Sequence, residues 1–132
     1  ESTVDLVRNE APKEKSLRFS ILFDFDQSNA VANYERFLID KVAPNIANNG
    51  TVIIHGHTDI VGSPEYNMQL SERRASDTRK ILEKAVYDAG KTGVRFEVMA
   101  FGLDTDNAPF GNTLPEERFY NRTVIIDIVQ PQ

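Results

Sequence analysis

No cysteine occurs among the 132 residues, which excludes disulfides and thiolate metal sites. That absence leaves the compartment open, because disulfide-free proteins occur on both sides of a membrane. Histidine is scarce, with two residues, so chemistry that needs three imidazoles is excluded. Long apolar runs are missing: nothing approaches the ~20 residues that cross a bilayer as a helix, and Val124-Ile125-Ile126 has the length of a strand core. Positive charge is in deficit, 15 Lys and Arg against 20 Asp and Glu, for a net charge of −5. A nucleic-acid backbone or an anionic membrane surface rewards a basic patch, so neither is expected as the main partner. A few local charges can still hold a small zwitterionic ligand against that balance.

What remains is ordinary for a globular protein: 40% hydrophobic and 27% charged residues, in a length that fits one domain with one core. The chain opens on Glu1 without a signal-peptide pattern, and is expected to be a mature form or an excised portion. Any membrane attachment would then run through a segment absent from this chain.

Residues 1–15 show no firm period and read as a linker or an extra edge strand, leaving 16–132 as the domain. Leu17, Phe19, Ile21 and Phe23 alternate with other residues, the mark of a half-buried strand. Ala30 to Ala43 reads as a helix turning Tyr34, Phe37, Leu38 and Val42 inward. Pro44 should end or kink it, and Asn48-Asn49-Gly50 supplies a turn. Thr51–His57 is a second strand. Ser63-Pro64-Glu65 then combines a capping hydroxyl, a proline at the first helical position and an acid near the positive end of the dipole. The helix it opens should run to about Ala89, with Gly90 as its stop. Val94–Phe101 and Thr123–Val129 read as strands, separated by the long polar loop Gly102–Asn121. The order β-α-β-α-β-loop-β predicts an α+β two-layer sandwich: a four-stranded mixed sheet with two main helices on one face.

On a wheel at 100° per residue, Leu70, Thr78, Ile81, Leu82 and Ala85 form the inward stripe of the second helix. Glu72, Arg79, Lys80, Glu83 and Lys84 take the opposite side. Arg74 falls inside the apolar stripe, and Asn67 falls at its centre. An unpaired buried guanidinium is very costly, so Arg74 must meet a carboxylate, either the protein's own or a ligand's. Position alone leaves both readings open. The second strand ends in His55-Gly56-His57-Thr58-Asp59 and leads into this helix, which brings Asp59 within plausible reach of Arg74. An anion and a cation across one cleft would grip a group that carries both ammonium and carboxylate.

Gly56-His57-Thr58-Asp59-x-x-Gly62, followed by Tyr66-Asn67-x-x-Leu70-Ser71-x-x-Arg74-Ala75, resembles the signature of the OmpA-like C-terminal domain. That family includes peptidoglycan-associated lipoproteins and flagellar stator proteins. Phe23-Asp24-Phe25-Asp26 before the first helix and Asn121-Arg122 before the last strand agree with it, and the likeness spans roughly residues 17–130. The resemblance implies non-catalytic binding of peptidoglycan through the free end of diaminopimelate in its stem peptides. It implies that Asp59 meets the ammonium and Arg74 the carboxylate. Thr58 and Asn67 match supporting positions, and Arg122 a basic position lining the same cleft. It also implies a periplasmic location, as the soluble part of an outer-membrane-associated protein, with no cofactor and no metal. Where relatives often carry two basic residues after the asparagine, this chain has Arg122 first and Thr123 second.

Two other readings compete. His55-x-His57-x-Asp59 resembles the start of a metallo-hydrolase ligand motif, but Ile60 replaces the next histidine and no later one exists. A protein-interaction scaffold of an envelope machine would keep the fold and drop the ligand, with Asp59 and Arg74 paired to each other. For the ligand reading, the wheel predicts that Arg74→Ala leaves the fold intact.

Overall fold

The computed structural model describes residues 16–23, 30–58, 63–102 and 122–131. The segment 1–15, Asp24–Asp26, Asp59 and the loop 103–121 lie outside the described residues.

Alternation builds the strands. In β1 (Ser16–Leu22), Phe19 and Ile21 face the core; in β2 (Thr51–His57), Val52 and Ile54 do. Phe96 and Val98 of β3 (Arg95–Gly102) and Val124, Ile126 and Ile128 of β4 (Thr123–Val129) join the same core. The strands lie in the order β1-β4-β2-β3. β4 runs antiparallel to both β1 and β2, whereas β2 and β3 are parallel. The last strand in sequence is therefore central, which suits its near-continuous apolar run: Ile125 is buried on the side opposite Ile126.

The first helical segment, α1, is irregular. It starts as a 3-10 helix over Ala30–Tyr34, makes one α-turn at Glu35–Phe37, widens to a π-helix over Leu38–Val42 and closes as a 3-10 turn at Ala43–Asn45. Pro44 explains the end, because it has no N–H to continue the ladder. The N–H of Ala43 reaches back to the Leu38 carbonyl, and Asn45 Nδ2 donates to the Lys41 carbonyl at 2.9 Å. Helix and kink thus coincide with expectation, while the widened turn is the structure's own. Asn49 makes the following turn with φ of 66°.

The second helix, α2 (Pro64–Asp88), begins as its capping residues dictate: Tyr66 N donates to Ser63 Oγ at 3.1 Å, with Pro64 in the first turn. Its buried residues are Asn67, Leu70, Ser71, Arg74, Ala75, Thr78, Leu82 and Val86, a clean i, i+3/i+4 stripe. Ile81 and Ala85, expected inside, are half-buried because they line a groove of about 690 Å³ between α1 and α2. Leu38 and Val42 of α1 and Leu82 and Val86 of α2 meet the core faces of β2 and β4 in one cluster. Both helices therefore cover one face of the sheet.

Candidate functional site

The pairing register brings one end of every strand together. Leu22 sits opposite Thr123, and Gly56 sits opposite both Val124 and Ala100. The exits of β1, β2 and β3 and the entry of β4 thus share one edge, and the first half of α2 packs over it.

Contact there is close because of two glycines. A Cβ at Gly56 would collide with the backbone carbonyl of Ser71, so only glycine lets α2 settle this deep on β2. At Gly102 the backbone takes φ of +55°, and a Cβ would stand 3.2 Å from Met68 Cα. Between them the β2–β3 register slips, from Gly56 opposite Ala100 to His57 opposite Gly102. Such a bulge re-aims the strand ends.

Hydrogen bonds tie these pieces in series. Ser71 Oγ donates to the Met68 carbonyl at 2.9 Å and accepts from Gly102 N at 3.1 Å. The Gly102 carbonyl accepts from Thr58 N at 2.7 Å. The α2 face bearing Asn67, Ser71 and Arg74 is thereby coupled to the residue that follows β2.

Arg74 is 1% exposed and heads the largest fully buried side chains, with its guanidinium carbon 4.2 Å from the centre of the Phe23 ring. A cation over an aromatic face is worth about 0.5–2 kcal/mol. Phe23 is itself fixed: its N–H donates to the Arg122 carbonyl at 2.9 Å, and its ring meets Tyr34 edge-on at 5.9 Å. Tyr34 OH in turn donates to the Leu22 carbonyl at 2.6 Å. The burial of Arg74 revises the expectation for alanine there. Truncation would empty a packed volume beneath α2, so Arg74→Ala should cost stability as well as charge.

Of the sequence-predicted residues, Thr58, Asn67 and Arg74 are buried on this edge, and Arg122 is half-buried beside Phe23. Thr58 Oγ1 is buried without a hydrogen-bond partner among the described residues. Asp59 follows Thr58 directly but lies outside the described residues. Thr123, which stands in place of a basic residue, is structural: its Oγ1 donates to the Ile21 carbonyl at 2.9 Å. Ser71, Gly56, Gly102 and Phe23 hold the edge together. The sequence placed Gly56 and Ser71 in the signature and Phe23 in the alternation of the first strand, but assigned none of them this role.

The histidines belong elsewhere. His55, His57 and Phe101 form a stack, with His57 and Phe101 centroids 5.0 Å apart at 12° and the two imidazoles 6.3 Å apart at 9°. His55 Nε2 lies 3.3 Å from Asp127 Oδ2, which Arg18 grips in a bidentate pair at 2.7 and 2.8 Å. The 3.3 Å approach is within ion-pair distance but lacks hydrogen-bond geometry. The hydrogen bonds from Arg18 hold the Asp127 carboxyl below its usual range, against a desolvation cost that opposes them. Among the described residues, no group of three His, Cys, Asp or Glu could hold a metal ion.

Comparison with known proteins adds to this geometry. The sequence matches the OmpA family over residues 22–122. Outer membrane protein A of Klebsiella pneumoniae is 30% identical over 125 residues, covering 92% of this chain and 34% of that protein. Outer membrane protein A of Bordetella avium is 35% identical over 109 residues, 81% of this chain and 53% of that one. The chain thus spans about a third to a half of these curated relatives. Among solved structures, the peptidoglycan-associated lipoprotein from Burkholderia pseudomallei superposes with a TM-score of 0.60 at 24% identity, over 83% of this chain and 88% of that one. The cell wall anchor of the T6SS from Pseudomonas aeruginosa gives 0.58 at 20% identity, over 88% and 82%. At these identities the likeness establishes a shared fold.

Proposed function

The chain belongs to the OmpA family, and from that premise we propose that it binds peptidoglycan non-covalently through the free ammonium and carboxylate of diaminopimelate. Binding of this kind anchors a membrane protein or complex to the wall from the periplasmic side and requires no catalysis. Two structural neighbours carry names that speak of peptidoglycan association and cell wall anchoring, which supports the reading. The observation that carries it is the buried polar edge itself, where Asn67, Ser71 and Arg74 of α2 face the end of β2 at Thr58.

In this reading Arg74 donates to the ligand carboxylate and Asp59 accepts from its ammonium. Thr58 Oγ1, which lacks a partner among the described residues, and Asn67 complete the hydrogen bonds, and Arg122 borders the cleft. Charge-assisted bonds at both ends fix orientation. Acylation of the amine in a cross-link removes its charge, so un-cross-linked stems are preferred. So small a ligand buries little apolar area, and a single site should bind with Kd on the order of micromolar to millimolar, about −8 to −4 kcal/mol. Many linked sites on the polymer then give useful anchoring.

One observation favours a second reading. Arg74 leaves 1% of its surface exposed, so a ligand reaches it only when the groups over it part. A guanidinium that serves the fold alone would make the domain a protein-interaction scaffold. Calorimetric titration with a stem peptide containing meso-diaminopimelate, beside the same peptide containing lysine, separates the two. Heat for diaminopimelate only supports the clamp. Silence with both peptides from a folded protein moves the assignment to the scaffold.

A further inference from the structure

We propose that Ser71 is a positioning residue, whose hydroxyl, through Gly102, sets the separation between the Asn67–Arg74 face of α2 and Thr58 at the end of β2. The inference rests on the peptidoglycan reading above and adds to it a residue that touches no ligand.

The two poles of the proposed clamp stand on different elements. Arg74 and Asn67 ride on α2, while Thr58 and Asp59 follow β2. Something must hold those elements in register to a few tenths of an ångström, because charge-assisted hydrogen bonds weaken steeply with misalignment. Ser71 lies one turn from Asn67 and one turn from Arg74 on the same buried face, with none of its own surface exposed. Its Oγ has both hydrogen-bonding functions committed, outward to the Met68 carbonyl and inward from the Gly102 amide. Gly102 passes the constraint on, since its carbonyl takes the Thr58 amide at 2.7 Å. The path from helix to strand end is thus two hydrogen bonds long and crosses a single residue.

Backbone features around this path support it. Gly102 holds φ of +55°, a conformation that L side chains rarely adopt and that orients its amide and carbonyl to serve both partners. The β2–β3 bulge lies immediately beside it. Gly56 removes the Cβ that would otherwise push the Ser71 carbonyl away. Helix depth is therefore set by Gly56 from below, and the link to Thr58 is set by the hydroxyl. Ser71→Ala preserves the helix and its depth and deletes the hydroxyl with its bond to Met68 and the link, leaving the buried Gly102 N–H without its acceptor.

The test compares Ser71→Ala with Val86→Ala, a control that weakens the far end of the core. Both are assayed well below their melting temperatures by titration with the meso-diaminopimelate peptide, and by amide hydrogen exchange in the ligand-free state. Ser71→Ala should weaken binding about tenfold and speed exchange at Gly102 and Thr58. Val86→Ala should lower the melting temperature while leaving Kd within about twofold. Unchanged affinity in folded Ser71→Ala, or equal losses in both variants, overturns the proposal. So does weaker binding with exchange at Gly102 and Thr58 unaltered. If the unmodified chain itself gives no heat, the peptidoglycan reading fails first, an outcome distinct from a wild type that binds and a Ser71→Ala that binds as well.

Discussion

The two halves of α2 lie on the same sheet and differ in the polar side chains they bury. Its first half carries Asn67, Ser71 and Arg74 beside Leu70 and Ala75; its second half adds Leu82 and Val86 to the apolar core that contains Val42, Val52 and Ile128. Thr78 marks the change, its hydroxyl turned back onto the Arg74 carbonyl at 2.8 Å. The other buried polar residues among those described, His57, Thr58 and Thr123, also stand at the first-half end of the sheet. An apolar core cannot recognise a zwitterion, and a polar edge contributes little net burial energy. Separating the two along one helix lets the second half hold the first in place.

That contrast can be broken at either end. The largest expected effect is on binding. Arg74→Met keeps most of the buried volume and the packing on Phe23 but removes the charge, so peptide titration should fall silent while the melting temperature moves by only a few degrees. A collapse in stability would instead assign Arg74 to the fold. Leu82→Ala attacks the other half: chemical denaturation should show a loss of about 2–5 kcal/mol, with affinity retained where the protein is folded. Gly56→Ala blurs the division, because its Cβ strikes the Ser71 backbone. It should cost about 1–3 kcal/mol and weaken binding together, and denaturation beside titration would read both. The smallest effect lies on the sheet face opposite the helices. Asp127 has its carboxyl pKa lowered from the ordinary 3.8, chiefly by hydrogen bonds from Arg18. Its contribution is present above that ordinary value and is lost as pH falls through the lowered one. Arg18 is largely exposed, so Asp127→Asn should cost no more than about 1 kcal/mol at neutral pH. The difference from wild type should vanish in strongly acidic denaturation curves.

Much of the edge was legible before the structure. The wheel singled out Arg74 and Asn67 because a charge and an amide inside an apolar stripe violate the helical period, and both are buried. Ser63-Pro64 marked the start of α2 because capping is local chemistry. The apolar inward residues were read less well. Ala75 and Val86 are buried, while Ile81 and Ala85 line a groove, since α1 covers one flank of the stripe and a wheel carries no information about neighbours. Ser71 stood in the signature without a role for the same reason: a serine on a helix has no visible partner until a particular strand glycine lies beneath it.

Taken alone, the sequence determined the elements. Alternation or a short apolar run set the strands, apolar period and caps set α2, and Pro44 set the end of α1, all through interactions within a few residues. Tertiary structure decided what required two distant segments to meet. The central place of β4, the widened turn in α1, the seating of α2 on Gly56, the Ser71–Gly102–Thr58 link and the stacking of Arg74 on Phe23 belong there. Local propensity fixes backbone conformation one turn or strand at a time. Depth, register and partner choice depend on which surfaces close together when the core forms.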